Sequence, residues 1–305
     1  MAISRTSILR GPGSVKYGGQ TIFDASGISA DIDFSTGDLP SSISGTIGTI
    51  KTDAIGKVTL TPCGQLSAAL LAILYPYGSP SIGSGVGGTV DRPLDIHSLA
   101  GTKVTFKHAV LTKMPELYLS PVKTAFGSAE FSACLGLAKA PGDADGFYAV
   151  AQAAYDAGAP DPTGIVGVEY AATYGDLSIT DTQDGWTVTP ELTLEAVTTD
   201  RLGTIDWTIA SVGCTATCTP LGLTEAQILA ALPTGLKRGA LVGGANDLVI
   251  EGAGGLKVSL KNASLVKGPL NWGNTSLRAG QIQFTAHRAV TGGTPGPVFT
   301  VEMAD

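Results

Sequence analysis

One long passage of this chain occurs twice in it, and that repeat constrains the fold more than any other feature. Residues 101–115 read GTKVTFKHAVLTKMP and residues 255–269 read GLKVSLKNASLVKGP. The offset is 255 − 101 = 154 residues, about half of the 305. Eight of the fifteen aligned positions are identical, among them Lys103/Lys257, Val104/Val258, Lys107/Lys261, Lys113/Lys267 and Pro115/Pro269. Further matches keep the same order. Leu94-Asp-Ile96 faces Leu248-Val-Ile250, and Gly127 to Ala133 faces Gly280 to Ala286. Gly48-Thr-Ile50 faces Gly203-Thr-Ile205, and Ser67 to Pro76 faces Thr224 to Pro233. The period exceeds the ~20–50 residues of solenoid units and is the size of a whole small domain. We therefore expect two like domains, residues 1–145 and 164–305, joined by a linker at 146–163. A chain that sets like domains side by side points to assembly before catalysis.

Composition supports a strand-rich fold. The chain has 41 Gly and only 15% charged residues, and abundant Thr, Ser and Val suit short strands joined by turns. Hairpin strands are expected at 14–17 and 20–23. Ile28 to Phe34 alternates apolar and polar residues, the period of a half-buried strand. Residues 35–56 read as either a long hairpin or a loop that orders against a partner, with a shorter counterpart near 197–212. Short helices are expected at 67–75, capped by Ser67 and stopped by Pro76, and at about 224–232. A further helix is expected in the linker, from Phe147 to Tyr155. The expected fold class is mainly β: two tandem β-sandwich or half-barrel domains, each with one short flanking helix.

Charge and cysteine content exclude several functions. The net charge is −7, so the chain lacks the overall basic footprint of a conventional nucleic-acid binder. The apolar run from Ala68 to Tyr75 is short of the ~20 residues that span a bilayer, and the N-terminus has no secretory h-region. Cys63, Cys134, Cys214 and Cys218 are too sparse for a disulfide scaffold, which suits a reducing cytoplasm.

No catalytic set emerges. Gly83-Ser-Gly-Val-Gly-Gly88 spells GxGxxG, but it follows a helix instead of linking a strand to one, as a dinucleotide site requires. Cys214 and Cys218 share one face of a strand, yet His97, His108 and His287 offer no ligand-like spacing for zinc. Asp31, Asp33, Asp143, Asp145, Glu191 and Glu195 read as solvated acids. The lysines at 103, 107 and 113, echoed at 257, 261 and 267, are the one charged set kept in both copies. They read either as contacts to an acidic edge of the next domain or as guards against unwanted edge pairing. Neither a cofactor nor an enzyme activity is expected.

The element order resembles that of the major tail tube proteins of long-tailed bacteriophages: a Gly-rich start, two strands, the long 35–56 segment, strand 57–61, helix 67–75, then strands at 102–111, 116–120 and 126–137. The resemblance covers nearly the whole chain, once per half. It implies a tandem-duplicated tube domain, three chains per pseudo-six-fold ring, and rings stacked around a channel that DNA crosses without specific binding. It also implies assembly in the host cytoplasm, a place in the virion tail, and contacts with tape measure, baseplate and terminator proteins. An acidic wall suits such a channel because it repels phosphate. In this reading Ile43, Ile47, Ile50, Ile55 and Trp207 contact the neighbouring ring, since apolar residues in a Gly/Ser-rich segment mark a partner surface. The alternatives are another phage ring component of the same fold, such as a baseplate or terminator protein, or a cytoplasmic two-domain β-sandwich that binds a ligand.

Overall fold

Gly18 and Gly19, at φ 56° and 84°, turn the chain between β1 (Gly13–Tyr17) and β2 (Gln20–Asp24). In the computed structural model of the chain, the described residues are 13–64, 66–79, 81–87, 92–122, 124–134, 147–155, 158–159, 168–200, 203–232, 238, 246–268, 270–272, 277–288, 290–291 and 294–303. After that turn the Ile28–Phe34 alternation enters β3 (Ser29–Ser41), which returns as β4 (Gly45–Leu60), followed by β5 (Pro62–Cys63). Ser67 then caps α1 (Ala68–Leu74), its hydroxyl accepting the Leu70 N–H at 3.1 Å, and Leu70, Leu71 and Leu74 face inward. The first half closes with β6 (Arg92–Ser98), β7 (Thr102–Lys113), β8 (Leu117–Leu119), β9 (Thr124–Phe126), β10 (Ala129–Cys134) and β11 (Tyr148–Gln152).

The second half runs through β12 (Tyr170–Tyr174), β13 (Leu177–Ile179), β14 (Asp181–Thr199) and β15 (Gly203–Leu221) to α2 (Glu225–Ala231). Thr224 caps α2 in a capping box with Gln227, which satisfies two of the backbone donors a helix start leaves open. Then follow β16 (Asn246–Gly252), β17 (Leu256–Lys267), β18 (Leu270–Trp272), β19 (Leu277–Ala279), β20 (Ile282–Thr285), β21 (Val290–Thr291), β22 (Thr294–Pro295) and β23 (Phe299–Met303).

The protein is mainly β, with two large antiparallel sheets. One wiring plan is used in both. The pairs β1–β2, β1–β6, β6–β7, β7–β10, β10–β4, β4–β3 and β7–β11 recur as β12–β13, β12–β16, β16–β17, β17–β20, β20–β15, β15–β14 and β17–β23. Register recurs as well. Arg92↔Ala109 and Leu94↔Phe106, separated by a bulge, become Asn246↔Ala263 and Leu248↔Leu260, each 154 residues later.

The central strand of each half bends the sheet into two facing layers. Residues 102–106 of β7 pair with β6 and β11, whereas residues 110–113 pair with β10. Across the gap, the Tyr17 ring of β1 lies 4.7 Å from the Phe131 ring of β10, and its hydroxyl donates to the Ala109 carbonyl at 3.1 Å. The twin is Tyr174 on Phe284 at 5.0 Å, donating to the Ala263 carbonyl at 2.9 Å. Burying both the ring and its hydroxyl suits tyrosine, because each end finds a partner.

The helix expected from Phe147 to Tyr155 is absent. Tyr148–Gln152 is β11, paired with Thr102–Phe106 of β7. An open strand edge offers a full row of backbone partners there, and that pairing overrides the local helical preference of the alanines. The segment at 35–56 is a hairpin, and its counterpart is not shorter, as described below. Residues 135–146 and 160–167, which include part of the expected linker, lie outside the described residues.

Candidate functional site: two hairpin arms and the seam between the halves

β3–β4 and β14–β15 extend past the sheet as two-stranded arms of equal design. Strand β10 covers only Ile55–Leu60 of β4, and from Ile55 to Gly45 the ladder partners of β4 lie on β3. Aligning the roots gives an offset of 216 − 58 = 158, since Val58 pairs with Phe131 and Ala216 with its twin Phe284. At that offset the arms match throughout. Thr52 and Ala210 are each skipped at a bulge, and so are Ile47 and Ile205. Gly45 and Gly203 open the return strands at φ 72° and 68°. The true twin of Gly203-Thr-Ile205 is therefore Gly45-Thr-Ile47, three residues before the match the sequence suggested.

The two arms differ in what covers them. On the first, Ile43 is 94% exposed, Ile47 65% and Ile50 48%, and Phe34 and Leu39 are exposed beside them. Ile55, at the root, is half-buried. The Lys51 ammonium sits 4.0 Å from the centre of the Phe34 ring. On the second arm Thr204, Trp207 and Ile209 are buried. The Val86 N–H donates to the Trp207 carbonyl at 2.8 Å, Gly83 donates to Ile209 at 2.8 Å, and Ile209 donates back to Ser84 at 3.1 Å. Asp53 of β4 receives the Thr204 N–H at 3.2 Å and its hydroxyl at 2.8 Å. Trp207, expected at a ring-to-ring contact, is thus used inside the chain. The glycine run at 83–87 gains an explanation too: its backbone donors meet arm carbonyls and the Asp206 carboxylate, which accepts the Gly87 N–H at 2.9 Å. A side chain on Gly85 would collide with that carboxylate.

A second joint lies further along β14. The β8–β9 hairpin belongs to the first half but pairs with the outer edge of β14: Leu117↔Val188, Tyr118↔Thr187 and Leu119↔Trp186. Leu117, Leu119, Trp186 and Val188 are all buried. Gly185, at φ 83°, lets the hairpin approach, and a Cβ there would strike the Leu119 carbonyl. The Thr124 hydroxyl lies 2.6 Å from that of Tyr170, and the Val298 N–H donates to Gly78, just past α1, at 2.8 Å. Sequence reading found the strand at 116–120, but nothing local in Leu117-Tyr-Leu119 reveals which half it joins.

Three of the six repeated lysines form cross-strand ion pairs within their own half. Lys103 meets Asp95 at 3.0 Å, Lys257 meets Glu251 at 2.6 Å and Lys261 meets Asp247 at 2.8 Å. Lys107 lies on β7, where its N–H donates to Phe147, and Lys113 and Lys267 end β7 and β17 as exposed residues. Burial alone would raise the Asp247 carboxyl. Its bonds from the Lys261 ammonium and the Asn262 N–H outweigh that and hold it below the usual carboxylate range.

Cys214 and Cys218 are buried on one face of β15, and burial pushes both thiols far above their ordinary range, away from the reactive thiolate. Among the described residues no group of three His, Cys, Asp or Glu side chains is placed to hold a metal. A pocket of about 270 Å³ lies between α2 and the β12–β13 turn, lined by Tyr174, Asp176, Gln227 and Asn246 among others. It is below the ~300–1,000 Å³ typical of ligand sites. Among the described residues no helix is long and apolar enough to cross a membrane. Compared with known proteins, the chain matches no family model and no curated protein.

Proposed function

We propose that this protein is a structural subunit that assembles with copies of itself, three chains to a pseudo-six-fold ring and ring upon ring, as a phage tail tube around a channel for DNA. The observation that carries the reading is the duplication itself: two halves with one wiring plan and matched arms, one arm covered by its neighbour and the other bare. A subunit whose second half receives what its first half offers is half of a head-to-tail series. Such a series closes into a ring when the rotation per step allows it. The bare isoleucines Ile43, Ile47 and Ile50 supply apolar surface for a further contact. The excess of acidic residues, net charge −7, favours a wall along which phosphate slides without sticking.

The test is negative-stain electron microscopy of the concentrated protein, with mass measurement on the particles. Six-fold-like rings or tubes holding three chains per ring are the expected result. Single rings that never stack would indicate a terminator-like component. A monodisperse monomer at every concentration, even with tail extracts added as initiator, would sink the reading.

A further inference from the structure

We propose that the β18–β19 hairpin of one chain docks by strand addition onto the outer edge of β3 in a second copy, using the register that β8–β9 uses on β14 within the chain. The proposal deepens the head-to-tail part of the reading above and rests on it. It does not depend on the object being a phage tail.

Three observations on different elements converge. The first is the hairpin. β8–β9 pairs Leu117↔Phe126, Tyr118↔Ala125 and Leu119↔Thr124, and β18–β19 pairs Leu270↔Ala279, Asn271↔Arg278 and Trp272↔Leu277. Every one of these six positions is shifted by 270 − 117 = 153, so the second is the first hairpin repeated. Yet β8 continues onto β14, whereas β18 and β19 pair only with each other among the described residues.

The second is the receiving edge. At the arm offset of 158, Ile28, Ser29 and Ala30 are the twins of Trp186, Thr187 and Val188, the residues that receive β8. Trp186 and Val188 are buried, each 1% exposed, whereas of their twins Ile28 is half-buried and Ala30 is exposed; Ser29, the twin of the half-buried Thr187, is exposed as well. Among the described residues β3 pairs only with β4, which leaves its other edge open. An open edge of this kind is a template for another strand.

The third is the space around two twin glycines. A Cβ on Gly185 would strike the Leu119 carbonyl and one on Gly203 would strike Asp53, both across the seam. Their twins Gly27 and Gly45 also hold positive φ, 113° and 72°, but a Cβ on either would meet nothing within 4 Å. The turn before each edge is also built alike: the Gly185 N–H donates to Thr182, and the Gly27 N–H donates to Asp24, 158 residues earlier. The first half thus presents a prepared edge with room where its twin has a neighbour. Transferring the register gives Leu270↔Ala30, Asn271↔Ser29 and Trp272↔Ile28 between two chains.

Cysteine pairing reads this register directly. One batch of protein carries Ser29→Cys and another Asn271→Cys, both in a Cys63→Ser background that removes the half-exposed native thiol. They are mixed and mildly oxidised. The expected product is a two-chain species whose linked peptides contain positions 29 and 271. Tyr118→Cys with Thr187→Cys, the same pairing inside one chain, serves as the geometric control. Asp33→Cys with Asn271→Cys, four residues out of register, is expected to stay unlinked. If the control oxidises and the 29–271 pair does not, the docking is overturned, even if rings or tubes are visible. Equal linking of 33 and 271 overturns the register. A 29–271 link in protein that forms no ring or tube upholds the docking and sinks the tube reading.

Discussion

Asn262 is the one residue other than glycine with positive φ, 43°, among the described residues. It sits at the bulge where β17 bends, and Asp247 across the ladder holds it there. One carboxylate oxygen accepts the Asn262 N–H at 2.9 Å and the other the Lys261 ammonium at 2.8 Å. Asparagine tolerates this conformation better than most side chains. The first half has His108 at the matching position and Pro93 where Asp247 stands, so this brace belongs to one copy only. Because the native carboxyl is held below its ordinary value, its contribution to stability is present above the unfolded pKa of about 3.9 and is lost as pH falls through the lower native value. Asp247→Asn is therefore expected to lower the urea midpoint by a constant amount at pH values well above the ordinary carboxylate range, with the gap to wild type closing as pH falls through and below that range. A gap independent of pH would show that the charge is not the operative feature.

At the scale of elements, the seven-residue helices α1 and α2 depend on their caps. Helices so short are marginal by propensity alone. Ser67→Ala and Thr224→Ala should each cost about 1 kcal/mol, read from denaturant midpoints. Thr224→Ala should cost the more, since it also breaks the capping box. The arms invite the opposite result. Ile47→Asp with Ile50→Asp changes exposed positions and should leave unfolding within about 0.5 kcal/mol of wild type, while sedimentation shows no polymer. Tubes of ordinary length from this variant would remove the arm from the assembly surface. Much of this level was legible in the residues: the Val104-to-Lys113 repeat, the Ser67 cap of α1, the position of α2 and the β1–β2 turn. The arm register was not, because Gly45-Thr-Ile-Gly-Thr-Ile50 contains its own motif twice and the eye takes the wrong copy. Nor was β11, because Ala149 and Ala151 carry little strand preference and only the open edge of β7 decides their state. The partner of Leu117-Tyr-Leu119 was hidden for a related reason: strand pairing across about 70 residues leaves no local trace.

At the scale of the whole molecule, the seam decides whether two halves behave as one body. Asp53 is its clearest polar joint, with two bonds to the buried Thr204. Asp53→Ala should cost about 2 kcal/mol, because bonds to a charged acceptor are worth roughly 1.5–3. It should also speed hydrogen exchange in residues 203–209 more than in β7, as calibrated by exchange mass spectrometry. Uniform acceleration across both halves would mean that the seam and the cores unfold together and that Asp53 is no separate hinge. The covalent chain also gives this joint a kinetic advantage. A tethered pair meets at an effective concentration of roughly millimolar, whatever the bulk concentration. If the joints between chains copy the seam, every second joint of a ring is formed before any two molecules collide. Dilution then tests only the remaining joints, and ring closure becomes a reaction of low molecularity.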